Sequence, residues 1–267
     1  MTRHVLRVGV FGAGGRMGST VCGAVAADPE FELVAAVDPF HGGIDLRQLG
    51  VPDTGLQVAR SADAIAEAGA DVAVDFTVLD AALENLHWCA QHGVHAVVGT
   101  TGFTDVDLSD LRVRFEKSEA NALIAPNFAI GAVLMMRFAE LAAPYFETAE
   151  VIELHHDEKI DAPSGTAMLT AQRMADASQE WADDPTETVV VEGARGGEGP
   201  GGIRLHSVRL RGLVAHQEVV LGTTGQSLSI RHDSYDRTSF MPGVLLAIRA
   251  VREHPGLTIG LDSLLGG

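Results

Sequence analysis

Short hydrophobic runs alternate with helical patterns in the first half of the chain. Between residues 5 and 128 these runs are rich in valine and show no alternation of polar and apolar positions, which is typical of strands buried on both faces of a parallel sheet. The runs are VLRVGVF, FELVAAVD, a weaker LQVA, DVAVDFT, HAVVGTT and ALIAPNF. A helix near residues 15–27 and another ending at Gly93 lie between them. This order predicts an α/β, Rossmann-like parallel sheet domain.

The pattern changes after Phe128. A helix, the strand AEVIELHH and a second long helix come first, and four extended segments follow, separated by turns that contain glycine. These segments are ETVVVE, IRLHSVRLRG, AHQEVVLGT and QSLSIRHD. Their succession predicts an α+β domain with a mixed sheet over residues 129–239. The last helical pattern, SFMPGVLLAIRAV, predicts that residues 240–267 rejoin the domain formed by residues 1–128.

Closely spaced glycines follow the first predicted strand. The segment VGVFGAGGRMG places Gly12, Gly15 and Gly18 at intervals of three, and Asp38 comes 20 residues later, at the end of the second strand. Glycine lets the backbone approach a pyrophosphate, and the N–H groups at the start of the following helix receive its charge. This context predicts a dinucleotide-binding domain. A tight turn without a ligand is the alternative.

Two side chains bear on the choice of dinucleotide. Asp38 can accept hydrogen bonds from both hydroxyls of an adenosine ribose, which favours NADH. Arg16 belongs to the glycine segment, where it could reach the 2′-phosphate of NADPH. We therefore expect NADH as the preferred cofactor, with NADPH tolerated.

Three later strands are followed by polar or glycine-containing segments. DFT, GTTGF and APNF stand at the carboxyl ends, where ligands bind in open α/β sheets, so we expect them to line the nicotinamide end. The alternative is that Thr100, Thr101 and Asn127 cap the helices that follow. The full set of predicted cofactor residues is Gly12, Gly15, Arg16, Met17, Gly18, Asp38, Asp75, Phe76, Thr77, Gly99, Thr100, Thr101, Ala125, Pro126, Asn127 and Phe128.

The segment VIELHHDEKIDAPSGTAMLTA concentrates reactive side chains. His155 and His156 are adjacent, so on a strand they point to opposite faces, whereas a zinc pair on a helix needs histidines at i and i+4. We therefore predict no metal site. Pro163 precedes a Ser-Gly-Thr run and a series of helix formers, so the first helical turn can receive an anion. Simple helix capping by these hydroxyls is the commoner explanation.

Lys159 shifts the balance between these alternatives. With the two histidines it makes one positive spot in a chain whose 36 acidic and 19 basic residues give a formal charge of −17. Such a spot can bind a carboxylate and deliver a proton. A surface cluster without function is the alternative.

Composition excludes several classes of protein. The acidic balance disfavours a nucleic-acid partner, because nothing offsets phosphate repulsion. The two cysteines, Cys22 and Cys89, cannot form a disulfide framework or a cysteine zinc site, which favours a reduced cytoplasmic protein. No apolar run approaches the ~20 residues of a membrane span. These features predict a soluble protein without a membrane partner.

The segment ELHHDEKIDAPSGTA resembles the signature of the 4-hydroxy-tetrahydrodipicolinate (dihydrodipicolinate) reductase family. The likeness extends over nearly the whole chain, through GRMG, DFT, GTTGF, APNFAIG, RLHSVRLRGLVAHQEVVLGTTGQSLSIRHDSYDR and SFMPGV. The resemblance implies NADH- or NADPH-dependent reduction of a small dianionic heterocycle, with loss of water, in diaminopimelate and lysine biosynthesis. It also implies that the second domain binds the substrate and builds a homotetramer.

The resemblance implies roles for individual residues as well. His155 would donate or accept a proton, and Lys159 would be the general acid; which of the two delivers the proton stays open. The residues expected to hold the substrate carboxylates are His156, Ser164, Gly165 and Thr166. Pro39 follows the acid of the second strand, where many NADPH-preferring members carry arginine, so this departure favours NADH.

Two rival classes share parts of this pattern. Another dehydrogenase could act on a sugar or an amino-acid semialdehyde, but the thiol-dependent type needs a reactive cysteine, and both cysteines fall in predicted helices. An NAD(H)-sensing regulator could share the first domain. It would have no need of Lys159, and it would usually carry a basic partner-binding element that this acidic chain lacks.

Overall fold

The computed structural model describes residues 5–51 and 54–266, so the predicted domain limits at residues 1 and 267 lie outside the described residues. Two compact units make up the chain. The first contains the described residues up to Phe128 and those from Phe240 onward, and the second runs from Ala129 to Ser239. The first unit has a parallel sheet and the second a mixed sheet, which confirms the predicted fold class.

A six-stranded sheet forms the centre of the first unit, and all pairings among its described residues are parallel. Its strands are β1 (Leu6–Phe11), β2 (Phe31–Val37), β3 (Val72–Asp75), β4 (His95–Val98), β5 (Ala122–Ile124) and a final strand, Leu257–Ile259. Across the sheet the order is final strand, β5, β4, β3, β1, β2. Val8, Val72 and Val97 are fully buried, as expected of strands in a parallel sheet.

Helices connect these strands. They are α1 (Arg16–Ala27), α2 (Asp63–Glu67), α3 (Leu79–His92), α4 (Asp105–Glu116) and a C-terminal helix, Met241–Ala250. The predicted C-cap of α3 is confirmed, since Gly93 has the left-handed φ of 69° that favours glycine there. Because the strands run parallel, their carboxyl ends meet at one edge, and every predicted cofactor segment follows a strand at this edge.

The second unit contains a five-stranded mixed sheet. Its elements are α5 (Ile130–Ala142), β6 (Thr148–His155), α6 (Gly165–Ala177), β7 (Gly197–Glu198), β8 (Arg204–Arg209), β9 (Ala215–Thr223) and β10 (Gln226–Ser234). The strand order is β10, β9, β6, β8, β7, with β6 and β8 parallel and the other pairs antiparallel. Helix α6 packs on β6 and α5 on β10. Alternate residues of the central strand β6, including Val151 and Glu153, are fully buried.

The predicted strand ETVVVE is wrong. Residues 187–192 form no strand, and Val189, Val190 and Val191 are exposed. β-branched residues favour a strand only where a neighbouring strand and a buried face receive them. No described strand pairs with this segment. The weaker LQVA segment likewise forms only single bridges, one of which joins Ala59 to Val37.

Candidate active site

The glycine segment after β1 forms a tight cradle. Gly12 has a φ of 67°, a left-handed conformation that favours glycine. A Cβ placed on Gly18 would lie 2.0 Å from the carbonyl oxygen of Gly12, so this position accepts only glycine. Gly15 donates its N–H to the same oxygen at 2.9 Å and is the N-cap of α1, where no described side chain caps the helix. The cradle therefore fits a dinucleotide pyrophosphate at the helix N-terminus.

Asp38, one residue beyond β2, is hydrogen-bonded to the glycine segment. It is 6% exposed and accepts the N–H groups of Gly14 at 3.1 Å and Phe40 at 2.9 Å. The Nδ1 atom of His41 lies 3.0 Å from its Oδ1. Burial acts to raise the pKa of Asp38, but hydrogen bonds from His41, Phe40 and Gly14 hold it below its usual value. The carboxylate is therefore ionised at neutral pH and can accept hydrogen bonds from ribose hydroxyls.

A cationic side chain that was not predicted binds the loop that follows Asp38. Arg60 donates to the Pro39 carbonyl at 2.9 Å and to the Gly42 carbonyl at 3.4 Å. The residue before it makes a parallel bridge to β2, which brings Arg60 to the same edge as Asp38. Arg16 is exposed at the first position of α1. Arg60 gave no signal in the sequence, because a single bridge leaves no hydrophobic periodicity.

A cavity of about 400 Å³ opens at the carboxyl ends of β3 and β4. Its lining includes six of the predicted residues, Met17, Phe76, Thr77, Gly99, Thr100 and Thr101. The hydroxyl of Thr100 donates to the Thr77 carbonyl at 3.0 Å and joins the two strand ends. Helix α4 is capped instead by Thr104, which forms a capping box with Asp107. The capping alternative is therefore wrong for Thr100 and Thr101.

Asp75 lies at the end of β3 but does not present a free carboxylate. It is 2% exposed and accepts hydrogen bonds from the N–H and the hydroxyl of Thr77, at 2.7 and 2.6 Å. Asn85 donates to its other oxygen at 2.7 Å. Burial raises the pKa of Asp75 despite these hydrogen bonds. Its place in the site is to orient Thr77.

The segment Ala125–Phe128 follows β5 at the same edge. Ala125 and Phe128 are buried, whereas Pro126 is exposed. The ring of Phe128 packs against Phe76, with 5.6 Å between the centroids. Asn127 is not the cap of α5, because the N-cap position of that helix belongs to Ala129. Phe128 therefore supports Phe76, which lines the cavity.

The second unit places the predicted acid–base residues at the end of β6. His155 is the half-buried last residue of the strand, and His156 is exposed just beyond it. Nδ1 of His155 is hydrogen-bonded to Oε2 of Glu153. Burial lowers the pKa of His155; Glu153 opposes this shift, and the charges of Lys159 and Arg209 add to it. The imidazole is therefore uncharged near pH 7.

Lys159 lies in the turn after β6. Its Nζ atom contacts both carboxylate oxygens of Asp161, at 2.8 and 2.9 Å, and its side chain is 21% exposed. Its backbone N–H donates to the His156 carbonyl at 3.2 Å, which closes the turn. Asp161 is exposed, and the hydrogen bonds from Lys159 lower its pKa. The ammonium is thus held by a surface carboxylate that an anionic ligand can displace.

Helix α6 begins in front of this turn. Ser164 is its buried N-cap, since the hydroxyl accepts the N–H of Ala167 at 3.2 Å. The N–H of Ser164 itself donates to Oε1 of Glu153 at 3.3 Å. Gly165 is exposed, and no described atom lies within 4 Å of a Cβ added to it. Capping therefore explains Ser164, while Gly165 leaves space for a ligand before the helix N-terminus.

Glu153 and Arg209 complete the site and were not predicted. Glu153 is fully buried, and Arg209 of β8 binds its two oxygens at 2.8 and 2.9 Å. Burial acts to raise the pKa of Glu153, but hydrogen bonds from Arg209, Ser207 and His155 hold it below its usual value. Strand alternation could have revealed Glu153, which follows buried Val151 by two residues. Its partner is 56 residues away and could not be found that way.

Other kinds of chemistry lack the groups they need. Among residues 5–51 and 54–266, no set of three or more histidine, cysteine or acidic side chains is arranged to hold a metal ion. Cys22 and Cys89 are buried, and burial raises the pKa of both thiols, that of Cys22 to about 12. No helix in the described part of the chain combines the length and the apolar character that a bilayer span requires.

A cradle for a dinucleotide and a histidine–lysine site beside a helix N-terminus together define a class, a dinucleotide-dependent oxidoreductase that acts on a small anionic molecule. The model of the dihydrodipicolinate reductase N-terminus matches residues 6–128, and that of the C-terminus matches residues 131–265. The chain belongs to the dihydrodipicolinate reductase family.

Similar proteins span nearly the whole chain. The 4-hydroxy-tetrahydrodipicolinate reductase of Streptomyces coelicolor is 51% identical over 265 residues, 97% of this chain and 98% of the relative. That of Mycolicibacterium gilvum is 50% identical over 262 residues, 97% of this chain and 99% of the relative. The dipicolinate-bound dihydrodipicolinate reductase from Paenisporosarcina sp. TG-14 superimposes with a TM-score of 0.85 at 42% identity, covering 97% and 99% of the two chains.

Proposed function

We propose that this chain reduces 4-hydroxy-tetrahydrodipicolinate to tetrahydrodipicolinate, with loss of water, in diaminopimelate and lysine biosynthesis. The observation that carries the proposal is the joint placement of His155, Lys159 and the α6 N-terminus beside one another in the second unit. Two relatives of about 50% identity over nearly their full length bear the name of this activity. A third, similar in structure, binds dipicolinate, a planar aromatic dianion that is close in shape to the substrate.

Lys159 is the proton donor in this proposal. The departing 4-hydroxyl needs a proton to leave as water, and an ammonium supplies it. The pKa of His155 is lowered, chiefly by burial, so the imidazole is uncharged at neutral pH. It is therefore not the general acid, and its second ring nitrogen accepts a hydrogen bond instead. Once the substrate carboxylate displaces Asp161, Lys159 is free to turn toward the hydroxyl.

The substrate carboxylates bind in front of α6. His156 is exposed just after β6, and Gly165 and Thr166 are the first residues of the helix, whose N-terminal end attracts an anion. Ser164 acts indirectly, because its hydroxyl and its N–H are both used within the protein. A local site of this kind lets a protein of charge −17 bind a dianion.

The first unit holds the cofactor. A bound reduced nicotinamide dinucleotide supplies the hydride. The cradle between Gly12 and Gly18 holds its pyrophosphate, and ionised Asp38 accepts the ribose hydroxyls, so we assign NADH as the preferred cofactor. Arg16, exposed at the start of α1, and Arg60, bound to the loop after Asp38, are the cations that would let NADPH be tolerated.

The rival classes fit less well. A thiol-dependent semialdehyde dehydrogenase needs an ionised cysteine, but Cys22 and Cys89 are buried and their pKa values are raised by burial. An NAD(H) sensor performs no proton transfer, so it would not need the cluster of His155, Lys159 and Glu153. Sustained turnover separates the enzyme from the sensor.

Assembly and location complete the proposal. We expect a homotetramer in the cytoplasm. The edge strand β10 is largely exposed, and Val189, Val190 and Val191 form an exposed apolar run in the same unit, as at subunit interfaces. Two unpaired, buried cysteines suit a reducing compartment. Light scattering after size exclusion should give four times 28.1 kDa, and a monomer would contradict the assembly.

The activity is tested with purified protein and enzymatically generated 4-hydroxy-tetrahydrodipicolinate at neutral pH, by following the absorbance of NADH. Substrate-dependent loss of NADH is expected, at a kcat/KM equal to or above that with NADPH. An absence of substrate-dependent oxidation with either dinucleotide contradicts the proposed function. A strong preference for NADPH contradicts only the cofactor assignment.

A further inference from the structure

The most deeply buried ionised group of the second unit is Glu153. Its side chain is 1% exposed, and it lies on β6 two residues before His155. Burying a carboxylate costs several kcal/mol unless partners compensate for the lost water, and an apolar residue of similar size is often as stable in such a position. The ion pair between Glu153 and Arg209 is therefore poorly explained by a contribution to folding stability alone.

Apart from Ser207 of β8, the hydrogen-bond partners of Glu153 lie in or next to the proposed catalytic site. Oε2 is hydrogen-bonded to Nδ1 of His155, and Oε1 accepts the N–H of Ser164 at 3.3 Å. Arg209 binds both oxygens, at 2.8 and 2.9 Å. One carboxylate thus connects the end of β6 with the start of α6.

Arg209 extends this connection to the catalytic turn. Nη2 of Arg209 donates to the carbonyl of Asp161 at 2.6 Å, and Nε donates to the carbonyl of Lys159 at 3.3 Å. The guanidinium is planar and offers its donors in fixed directions, so these bonds fix the backbone of the turn against Glu153. The lysine backbone and the histidine ring are therefore positioned by the same ion pair.

The bond to Glu153 also determines which ring nitrogen of His155 is available. A carboxylate accepts hydrogen bonds only, so Nδ1 carries the proton. In a neutral imidazole Nε2 is then unprotonated and acts as the acceptor. The bond to Glu153 therefore leaves Nε2 as the nitrogen with which His155 can accept a hydrogen bond, as the proposed function assigns to it.

We propose that Glu153 and Arg209 are positioning residues for the reductase reaction, which fix the tautomer and orientation of His155 and the place of the Lys159 turn. The inference rests on the proposed function, since it concerns the same site. The charged groups that face His155 are Glu153 from its own strand, Lys159 from the turn and Arg209 from β8. Arg209 acts through Glu153 and through backbone carbonyls.

The same strand provides a matched control. Glu150 of β6 also pairs with an arginine and a histidine, Arg195 at 2.8 Å and His206 at 2.8 Å. It is an odd number of residues from Glu153, so it lies on the opposite face of the sheet. Glu150→Gln therefore removes a carboxylate from a similar arginine–histidine cluster without contact to His155, at a side chain that is 36% exposed against 1% for Glu153.

The decisive experiment compares Glu153→Gln with Glu150→Gln. We expect Glu153→Gln to lower kcat by about 10²-fold, the cost of misplacing a reacting group, with little change in KM. Loss of the carboxylate removes the influence that raises the pKa of His155, so the acid limb of the pH profile should move to lower pH. Glu150→Gln should keep the kcat and the pH profile of the wild type.

A spectroscopic measurement makes the test independent of turnover. The ¹⁵N shifts of His155 should report a protonated Nδ1 in the wild type and a mixed or reversed tautomer in Glu153→Gln. Unchanged shifts, or an equal loss of kcat in both glutamine variants, would overturn the proposal. An inactive wild type would contradict the proposed function instead, while the tautomer measurement would still decide the positioning role.

A second variant covers the case in which Glu153→Gln does not fold. Arg209→Lys keeps the positive charge but cannot bind both carboxylate oxygens and the two backbone carbonyls. We expect it to fold, as judged by thermal unfolding, and to lose kcat by about tenfold or more with KM nearly retained. Wild-type kcat in this variant would overturn the role of Arg209.

Discussion

The two candidate binding regions of this protein are built from different chemical groups. In the first unit, backbone groups around Gly12 and Gly18 form the cradle. Its shape requires glycine, because a side chain at Gly18 would collide with the backbone. In the second unit, ionised side chains form the site, with Glu153 as the group that joins them. The first region should therefore respond mainly to added volume, with the charges of Asp38 and Arg60 deciding only between NADH and NADPH, whereas the second should respond to charge and pH.

The charge-based region should show the largest effect. Lys159→Ala removes the proposed proton donor, and kcat should fall by about 10²-fold or more while the fold and the affinity for NADH are retained. Steady-state kinetics and fluorescence titration of NADH separate these quantities. The matched control is Lys117→Ala, because Lys117 is the other lysine of the chain and is exposed at the end of α4. An unchanged kcat would remove Lys159 from the mechanism.

The backbone-based region should respond to a single methyl group. Gly18→Ala places a Cβ 2.0 Å from a backbone oxygen, so the cradle must open, and NADH affinity should fall by about 10²-fold. Gly23→Ala lies in the same helix with no described atom within 4 Å of the new methyl. It should keep NADH affinity and gain about 0.5–1 kcal/mol of stability, measured by thermal unfolding. Equal NADH affinity in both variants would show that the cradle does not bind the dinucleotide.

Substitution of Arg60 tests whether a positive charge in the first unit contributes to the binding of NADPH. Arg60→Gln should weaken NADPH binding about tenfold, the usual cost of losing one charge-assisted hydrogen bond, and leave NADH binding unchanged. Titration of each dinucleotide, and of 2′,5′-ADP against 5′-ADP, measures the difference directly. Arg112→Gln, in exposed α4, is the control. If NADPH binding survives in Arg60→Gln, the 2′-phosphate is held elsewhere, with Arg16 as the next variant to test.

The thiols should show the smallest effect. Cys22 and Cys89 are buried and their pKa values are raised by burial, so neither forms a thiolate at neutral pH. Iodoacetamide at neutral pH should leave activity unchanged, and Ellman's reagent should react only after denaturation. Rapid inactivation by either reagent, protected by substrate, would favour thiol chemistry instead.

The sequence predicted local features well and distant partners poorly. The glycine segment and the segment from His155 to Thr166 are each short and contiguous, so a hypothesis about their chemistry could be formed from the sequence alone. Arg209 and Arg60 could not be found, because each reaches its partner across a strand pairing that no local pattern specifies. The mistaken strand at residues 187–192 has a related cause. Its β-branched residues have a high strand propensity, but no described strand pairs with the segment.

The final strand, Leu257–Ile259, belongs to the first unit, so that unit cannot fold completely until the end of the chain has been synthesised. It covers β5 at the edge of the first sheet, and the Asn121 side chain bonds to the carbonyls of Val251 and Arg252, both at 3.1 Å. A ribosome that has released residues up to 239 has made all of the second unit, yet β5 still has an open edge. The first unit is therefore the last to have all of its residues synthesised. A stop codon near residue 250 would remove the final strand and disrupt the first unit more than the second.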